Sequence, residues 1–302
     1  DPVITGARVN MTLPAPASAP PAIFIHGIAR RSGTNYLRWL LSCHPQVAVS
    51  PQKIWEFPHL SLTRHLMDYA DGLMLSSKLP GVNKADVLAA LGNGLLELAR
   101  EGLDAGVSVL IKEPSVDNIE QFFDFFPTAQ LVLLVRDGRD VSHSLARTRF
   151  GDEPMPRWRR WGAAMGLLRP VCAVRAKAWS ASSRRIAALC EASTGPWRTQ
   201  CTVIRYEDLI DDLRGTLAPL LERLQLDSLQ FDWPAALGIK IKGSSFVGVA
   251  DPRQGLNWSG VEPDAVVFAP VGRWRSWSKR ELSAFQRVAG PELERWGYPI
   301  EQ

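Results

Sequence analysis

Ala22-Ile23-Phe24-Ile25-His26 is a short apolar run bounded by Pro21 and Gly27. The residues after it, Gly27-Ile28-Ala29-Arg30-Arg31-Ser32-Gly33-Thr34-Asn35, combine glycine, arginine and small hydroxyl side chains before a helix from about Thr34 to Leu41. A run this short and this apolar fits a strand buried on both faces of a parallel sheet. Strand, glycine-containing loop and helix, in that order, turn backbone N–H groups and a helix N-terminus toward an anion, so Arg30 to Asn35 reads as a phosphate loop. It is not the nucleotide-triphosphatase pattern GxxxxGK[ST], because Thr34 follows Gly33 directly and a basic residue stands two places before that glycine.

The rest of the chain repeats the alternation. Val107 to Ile111, Leu131 to Val135 and Thr202 to Ile204 have the character of buried strands. Between them lie helical patterns, first Lys84 to Arg100 with Val87, Leu88, Leu91, Leu95 and Leu98 near helical spacing. Ile119 to Phe126, Arg157 to Leu189 and Lys279 to Trp296 follow, the last with Gly297 placed to cap it. Strands alternating with helices predict a single α/β domain with a mostly parallel β-sheet flanked by helices, whose ligands sit at the carboxyl ends of the strands. Pro14 to Pro21 holds four prolines and reads as an extended lead-in over residues 1–21, with the domain spanning 22–302. Residues 243–272, rich in Gly, Ser, Pro and Asp with Phe246, Trp258 and Phe268, are too long for an ordinary connection and are expected to form a mobile lid.

A charged fraction of 22% and a net charge of +4, with the arginines scattered, argue against a nucleic-acid partner. Cys43, Cys172, Cys190 and Cys201 show no CxxC spacing, which suggests neither a metal site nor a disulfide framework and fits a cytoplasmic protein. No apolar run approaches the roughly 20 residues that span a bilayer, and no signal peptide opens the chain. The first residue is Asp1 and not Met, which is consistent with removal of a preceding segment.

A second element pairs with the phosphate loop. Leu131-Val132-Leu133-Leu134-Val135-Arg136-Asp137-Gly138-Arg139-Asp140-Val141-Ser142-His143-Ser144 runs from a strand through a tight turn into a helix, with Arg136 at the strand end and Ser144 about two turns into the helix. An arginine and a hydroxyl so placed grip one phosphate from two sides. In Arg31-Ser32-Gly33-Thr34 the chain resembles the 5′-phosphosulfate loop of the sulfotransferases that use 3′-phosphoadenosine-5′-phosphosulfate (PAPS). The Arg136 to Ser144 stretch is similar to that family's 3′-phosphate motif, in the version found in tyrosylprotein sulfotransferases. Val203-Ile204-Arg205-Tyr206-Glu207-Asp208-Leu209 and Gly272-Arg273-Trp274-Arg275-Ser276-Trp277 also resemble family segments. The resemblance, covering roughly Ala22 to Pro299, implies a P-loop-like sulfotransferase fold and PAPS as cofactor, with 3′-phosphoadenosine-5′-phosphate (PAP) as product. It places Arg30, Arg31, Ser32, Gly33, Thr34, Asn35, Arg136 and Ser144 on the cofactor, Tyr206 near its adenine, and Arg273 on its 3′-phosphate.

Sulfuryl transfer needs an acceptor aligned with the leaving phosphate, a base for its proton, and positive charge where the leaving oxygen becomes negative. Arg31, by its place in the loop, is the choice for the leaving phosphate. Lys112, in Ile111-Lys112-Glu113-Pro114, resembles the lysine of tyrosylprotein sulfotransferases that touches the bridging oxygen. For the base, Glu56 lies among aromatics in Pro51-Gln52-Lys53-Ile54-Trp55-Glu56-Phe57, where desolvation would raise its pKa. Direct counting from Arg31 puts the family's glutamate on Gln52, and His59 and His65 are substitutes. His143 is read as structural, and no metal is called for. Two alternatives stay open, a P-loop kinase or nucleotide hydrolase and a PAP-binding module without turnover. The acceptor, whether small molecule, glycan, lipid or peptide tyrosine, and the oligomeric state, monomer or homodimer, are not assigned.

Overall fold

The computed structural model describes residues 20–52, 60, 62–75, 82–150, 171–191, 194–239 and 269–301. Five strands, β1 (Ile23–Gly27), β2 (Val47–Val49), β3 (Ser108–Glu113), β4 (Gln130–Val135) and β5 (Cys201–Arg205), form one sheet in the order β2-β3-β1-β4-β5. Every pairing is parallel. The helices described are α1 (Thr34–Leu41), α2 (Thr63–Met74), α3 (Lys84–Arg100), α4 (Phe122–Phe125), α5 (Gly138–Phe150) and α6 (Val171–Glu191). They continue as α7 (Pro196–Thr199), α8 (Tyr206–Asp211), α9 (Leu213–Arg223), α10 (Trp233–Gly238) and α11 (Lys279–Arg295).

Parallel strands need crossovers, and the crossovers cover both faces, which is why β1 and β4 are buried along their whole length. Alternation then sorts their side chains. Phe24, Ile111, Leu131 and Leu133 join one core with Phe122 of α4, Trp179 of α6 and Phe285 of α11. Ile23, Ile25, Leu110 and Val132 join the other with Leu37 and Leu40 of α1 and Leu220 of α9. Each such fully buried side chain contributes about 1.5–3 kcal/mol relative to leaving it in water.

Among the described residues the expected strands form. The helix expected at Ile119 to Phe126 is split into a 3₁₀ turn, Ile119–Gln121, and α4, and helices α2, α9 and α10 were not expected. Three other differences stand out. The strand expected at Val107 to Ile111 begins at Ser108 and runs on to Glu113, because β1 keeps pairing with it through Ile25↔Lys112 and His26↔Glu113. Lys112 therefore lies inside the strand. In α3 the buried face is Leu88, Gly92, Leu96 and Ala99, while Leu98 is 51% exposed. Gly92 sets that rotation, since a Cβ there would fall 1.8 Å from the Phe125 carbonyl oxygen. The edge strand β2 was not anticipated, being only three residues long. Residues 1–19 of the lead-in, 157–170 of the expected helix and 243–268 of the expected lid lie outside the described residues.

The chain leaves β1 toward β2 and leaves β4 toward β5, on opposite sides of the sheet. The crevice between the carboxyl ends of β1 and β4 is thus the switch point where sheets of this kind hold ligands.

Candidate active site

The loop after β1 is shaped by its own backbone. Gly33 has φ 97° and Arg31 has φ 77°, and such left-handed residues curl the main chain so that N–H groups face inward. A non-glycine residue in that region costs about 1 kcal/mol, and Arg31 is held there by its surroundings. Ser32, 1% exposed, closes the loop: its hydroxyl donates to the Ala29 carbonyl at 2.6 Å and accepts the Ala29 N–H at 3.2 Å. Gly33 is required sterically as well, because a Cβ would lie 2.3 Å from the Tyr206 ring. Thr34 is buried as the first residue of α1, Asn35 is half-buried and Arg30 is exposed.

Arg136 follows β4 and is 6% exposed. Its Nη1 donates to the Arg31 carbonyl at 2.7 Å, its Nη2 to the Pro270 carbonyl at 2.6 Å, and its guanidinium stacks 4.4 Å over the Tyr206 ring. Among the described residues its buried Nε has no hydrogen-bond acceptor. Ser144 lies on the second turn of α5, and the Arg31 Nε donates to its hydroxyl at 3.0 Å. The two elements expected to hold opposite ends of one cofactor are therefore in direct contact. Tyr206, 2% exposed at the start of α8, reaches the site from beneath the loop. Burial pushes its phenol up to about 12, with the Arg136 charge opposing.

Burial is the main force lowering the Arg31 pKa, and the positive charges of Arg136 and Arg273 lower it further. Arg136 and Arg273 thus both sit close enough to Arg31 to act on its charge, an arrangement that an anion beside Arg31 would relieve. Lys112 is 3% exposed in β3, on the α1 face by strand alternation with Leu110. Glu56 and His59 lie outside the described residues, while Gln52 and His65 are exposed. Among the described residues no three His, Cys, Asp or Glu side chains are arranged to hold a metal ion, and no helix is long and apolar enough to cross a membrane.

Sequence reasoning missed the charge network beneath Arg136. Asp137 accepts the Arg139 N–H at 2.8 Å, as a helix cap does, but also pairs with the Arg139 guanidinium at 2.7 Å, both side chains being almost wholly buried. Arg139 donates onward to the Pro299 carbonyl and stacks 3.8 Å over Trp274. Glu207 accepts the Asp137 N–H at 3.0 Å and the Tyr298 hydroxyl at 2.8 Å. Burial drives the Glu207 pKa up, and those two hydrogen bonds pull it back. Only the run of charges in Arg136-Asp137-Gly138-Arg139-Asp140 hinted at this, and its partners lie up to 160 residues away.

A family model described as the sulfotransferase family matches residues 21–230. A protein-tyrosine sulfotransferase of Drosophila melanogaster is 28% identical over 126 residues, 41% of this chain and 25% of its own length. Protein-tyrosine sulfotransferase 1 of Homo sapiens is 26% identical over 126 residues, 41% of this chain and 34% of its own. The chain thus matches only a quarter to a third of the length of these relatives. Among solved structures, the sulfotransferase domain from the Synechococcus PCC 7002 olefin synthase superposes with a TM-score of 0.54 at 21% identity, covering 95% of this chain and 98% of that one. A sulfotransferase from Alicyclobacillus acidocaldarius gives 0.51 at 15% identity, covering 92% and 94%. Both share the fold.

Proposed function

The chain belongs to the sulfotransferase family, and on that premise we propose that it transfers a sulfuryl group from PAPS to a hydroxyl or amine of an acceptor, releasing PAP. The observation that carries this reading is the contact of Arg31 with Ser144, which joins the phosphate loop to the second phosphate element beside Arg136. The residues fit a nucleotide with two anionic groups on two counts, the positive charges that act on Arg31 and the buried Arg136 Nε without an acceptor among the described residues.

In this reading Arg136, Ser144 and Arg273 hold the 3′-phosphate, and the curled loop from Arg30 to Asn35 holds the 5′ side. Tyr206 supports that loop from below through Gly33. PAPS supplies an activated sulfuryl group. Arg31 and Lys112 neutralise the charge that grows on the leaving 5′-phosphate oxygen as its bond to sulfur breaks. The acceptor oxygen or nitrogen forms the new bond to sulfur, and its proton passes to a base, for which Glu56 is the choice. The four cysteines are free thiols, which agrees with a cytoplasmic setting.

Calorimetry with PAP against ATP plus magnesium tests the nucleotide: PAP is expected to bind, and binding of ATP alone would overturn the reading. Labelled sulfate from PAPS, followed into a host extract and identified by mass, names the acceptor. Arg31→Ala and Lys112→Ala are each expected to lower turnover by about 10²–10³-fold with the fold intact. Near wild-type turnover in either variant removes that residue from the mechanism. An unchanged rate in Glu56→Gln at saturating acceptor transfers the role of base to His59 or another group.

A further inference from the structure

Asp140, the third residue of α5, is 1% exposed and faces the C-terminal part of the chain. Its Oδ2 accepts the N–H of Gly272 at 2.7 Å and its Oδ1 the N–H of Trp274 at 3.2 Å. These two amides flank Arg273. Gly272 takes a left-handed φ of 76° just before the 3₁₀ turn Arg273–Ser276, which lets both amides face one carboxylate. Nearby side chains fix the same segment: the Arg136 Nη2 reaches the Pro270 carbonyl, and Arg139 stacks on Trp274. These anchors lie on both sides of Arg273, whose charge is felt at Arg31.

We propose that Asp140 is a positioning residue: its carboxylate holds the Gly272 and Trp274 amides so that Arg273 is presented to the anion site formed by Arg31 and Arg136. This rests on the reading of that site as a phosphate grip. Its consequence is that the last arginine of the grip depends on α5, the helix that carries Ser144. Asparagine at 140 retains only one acceptor oxygen and turns an amide toward the second N–H, so one anchor is lost.

The test compares the wild type, Asp140→Asn, Arg273→Ala and the double variant by PAP calorimetry and by steady-state kinetics with PAPS. Asp140→Asn is expected to weaken PAP binding about tenfold to a hundredfold, the loss expected for a charge-assisted hydrogen bond. It should raise KM for PAPS more than it lowers kcat, and in the Arg273→Ala background its effect should shrink below twofold. An equal effect in both backgrounds overturns the proposal, as does unchanged binding. Should the wild type bind no PAP, the nucleotide reading fails by itself, and hydrogen exchange of the ligand-free proteins decides the positioning role. Faster exchange at residues 270–277 in Asp140→Asn, with β4 still protected, supports it, and unchanged exchange there overturns it. If Asp140→Asn does not fold, Asp140→Glu, which keeps the charge but overreaches by one methylene, is judged by the same outcomes.

Discussion

The loop after β1 and the turn after β4 occupy equivalent places in the sheet, each between a buried parallel strand and a helix, yet they are held in different ways. The first is shaped mainly by its own residues. Gly33, Arg31 and the Ser32–Ala29 hydrogen bonds set its curl, while from outside Tyr206 packs against it, Arg136 holds the Arg31 carbonyl and Ser144 takes the Arg31 side chain. The second is held from a distance, by a buried chain of charges and hydrogen bonds running through Asp137, Arg139 and Asp140 to Gly272, Trp274 and Pro299. A backbone loop tolerates little change of shape, while a charge network tolerates little change of partner. The anion site between them inherits both constraints.

If the second element depends on its distant partners, breaking one should cost the most. Arg139→Met leaves the Asp137 carboxylate buried without its cation and is expected to lower stability by about 4 kcal/mol in chemical denaturation. Replacing Asp137 and Arg139 together by apolar residues should restore much of that, and an equal loss in the double variant would show that the pair is not what holds the turn. Gly33→Ala tests the first element. With its Cβ 2.3 Å from the Tyr206 ring and a left-handed φ, it should cost roughly 3 kcal/mol, part of it recovered by Tyr206→Leu.

His26, at the end of β1 below the loop, tests whether that element is as insulated as it looks. Burial lowers its pKa from 6.5 to about 4, against the hydrogen bond to the Ser115 carbonyl that raises it. Because the folded-state value lies below the unfolded one, the stability this group contributes is present above pH 6.5 and lost as the pH falls toward 4. The loss should be on the order of 2 to 3 kcal/mol. His26→Asn, which keeps a donor for Ser115, should flatten that part of the stability profile, and an unchanged slope would assign it to other groups. The smallest effect is expected from Tyr298→Phe, which removes one donor to the buried Glu207 carboxylate and should cost about 1 kcal/mol. A loss as large as that of Arg139→Met would make Tyr298 as much an anchor of the second element as Arg139.

Much of this protein is legible residue by residue. The apolar runs at Ala22, Leu131 and Thr202, the loop glycine at Gly33 and the helix from Lys84 to Arg100 all report interactions within a few positions, which local sequence encodes. Capping is as readable, since Ser278 and Glu281 satisfy each other's N–H groups across one helical turn. The face of α3 was not legible, because a close approach to the Phe125 carbonyl turned it toward Gly92. Nor was β2, whose three residues are a strand only because β3 pairs with them. At the site, the sequence by itself determined which residues carry charge toward an anion and in what order they follow the strands. Tertiary structure alone decided that Arg31 meets Ser144, that Tyr206 lies under the loop, and that Asp140 holds the amides beside Arg273. The physical reason is distance along the chain: a strand, a cap or a left-handed glycine is specified by neighbours, whereas a buried carboxylate is specified by whichever donors the folded chain brings to it.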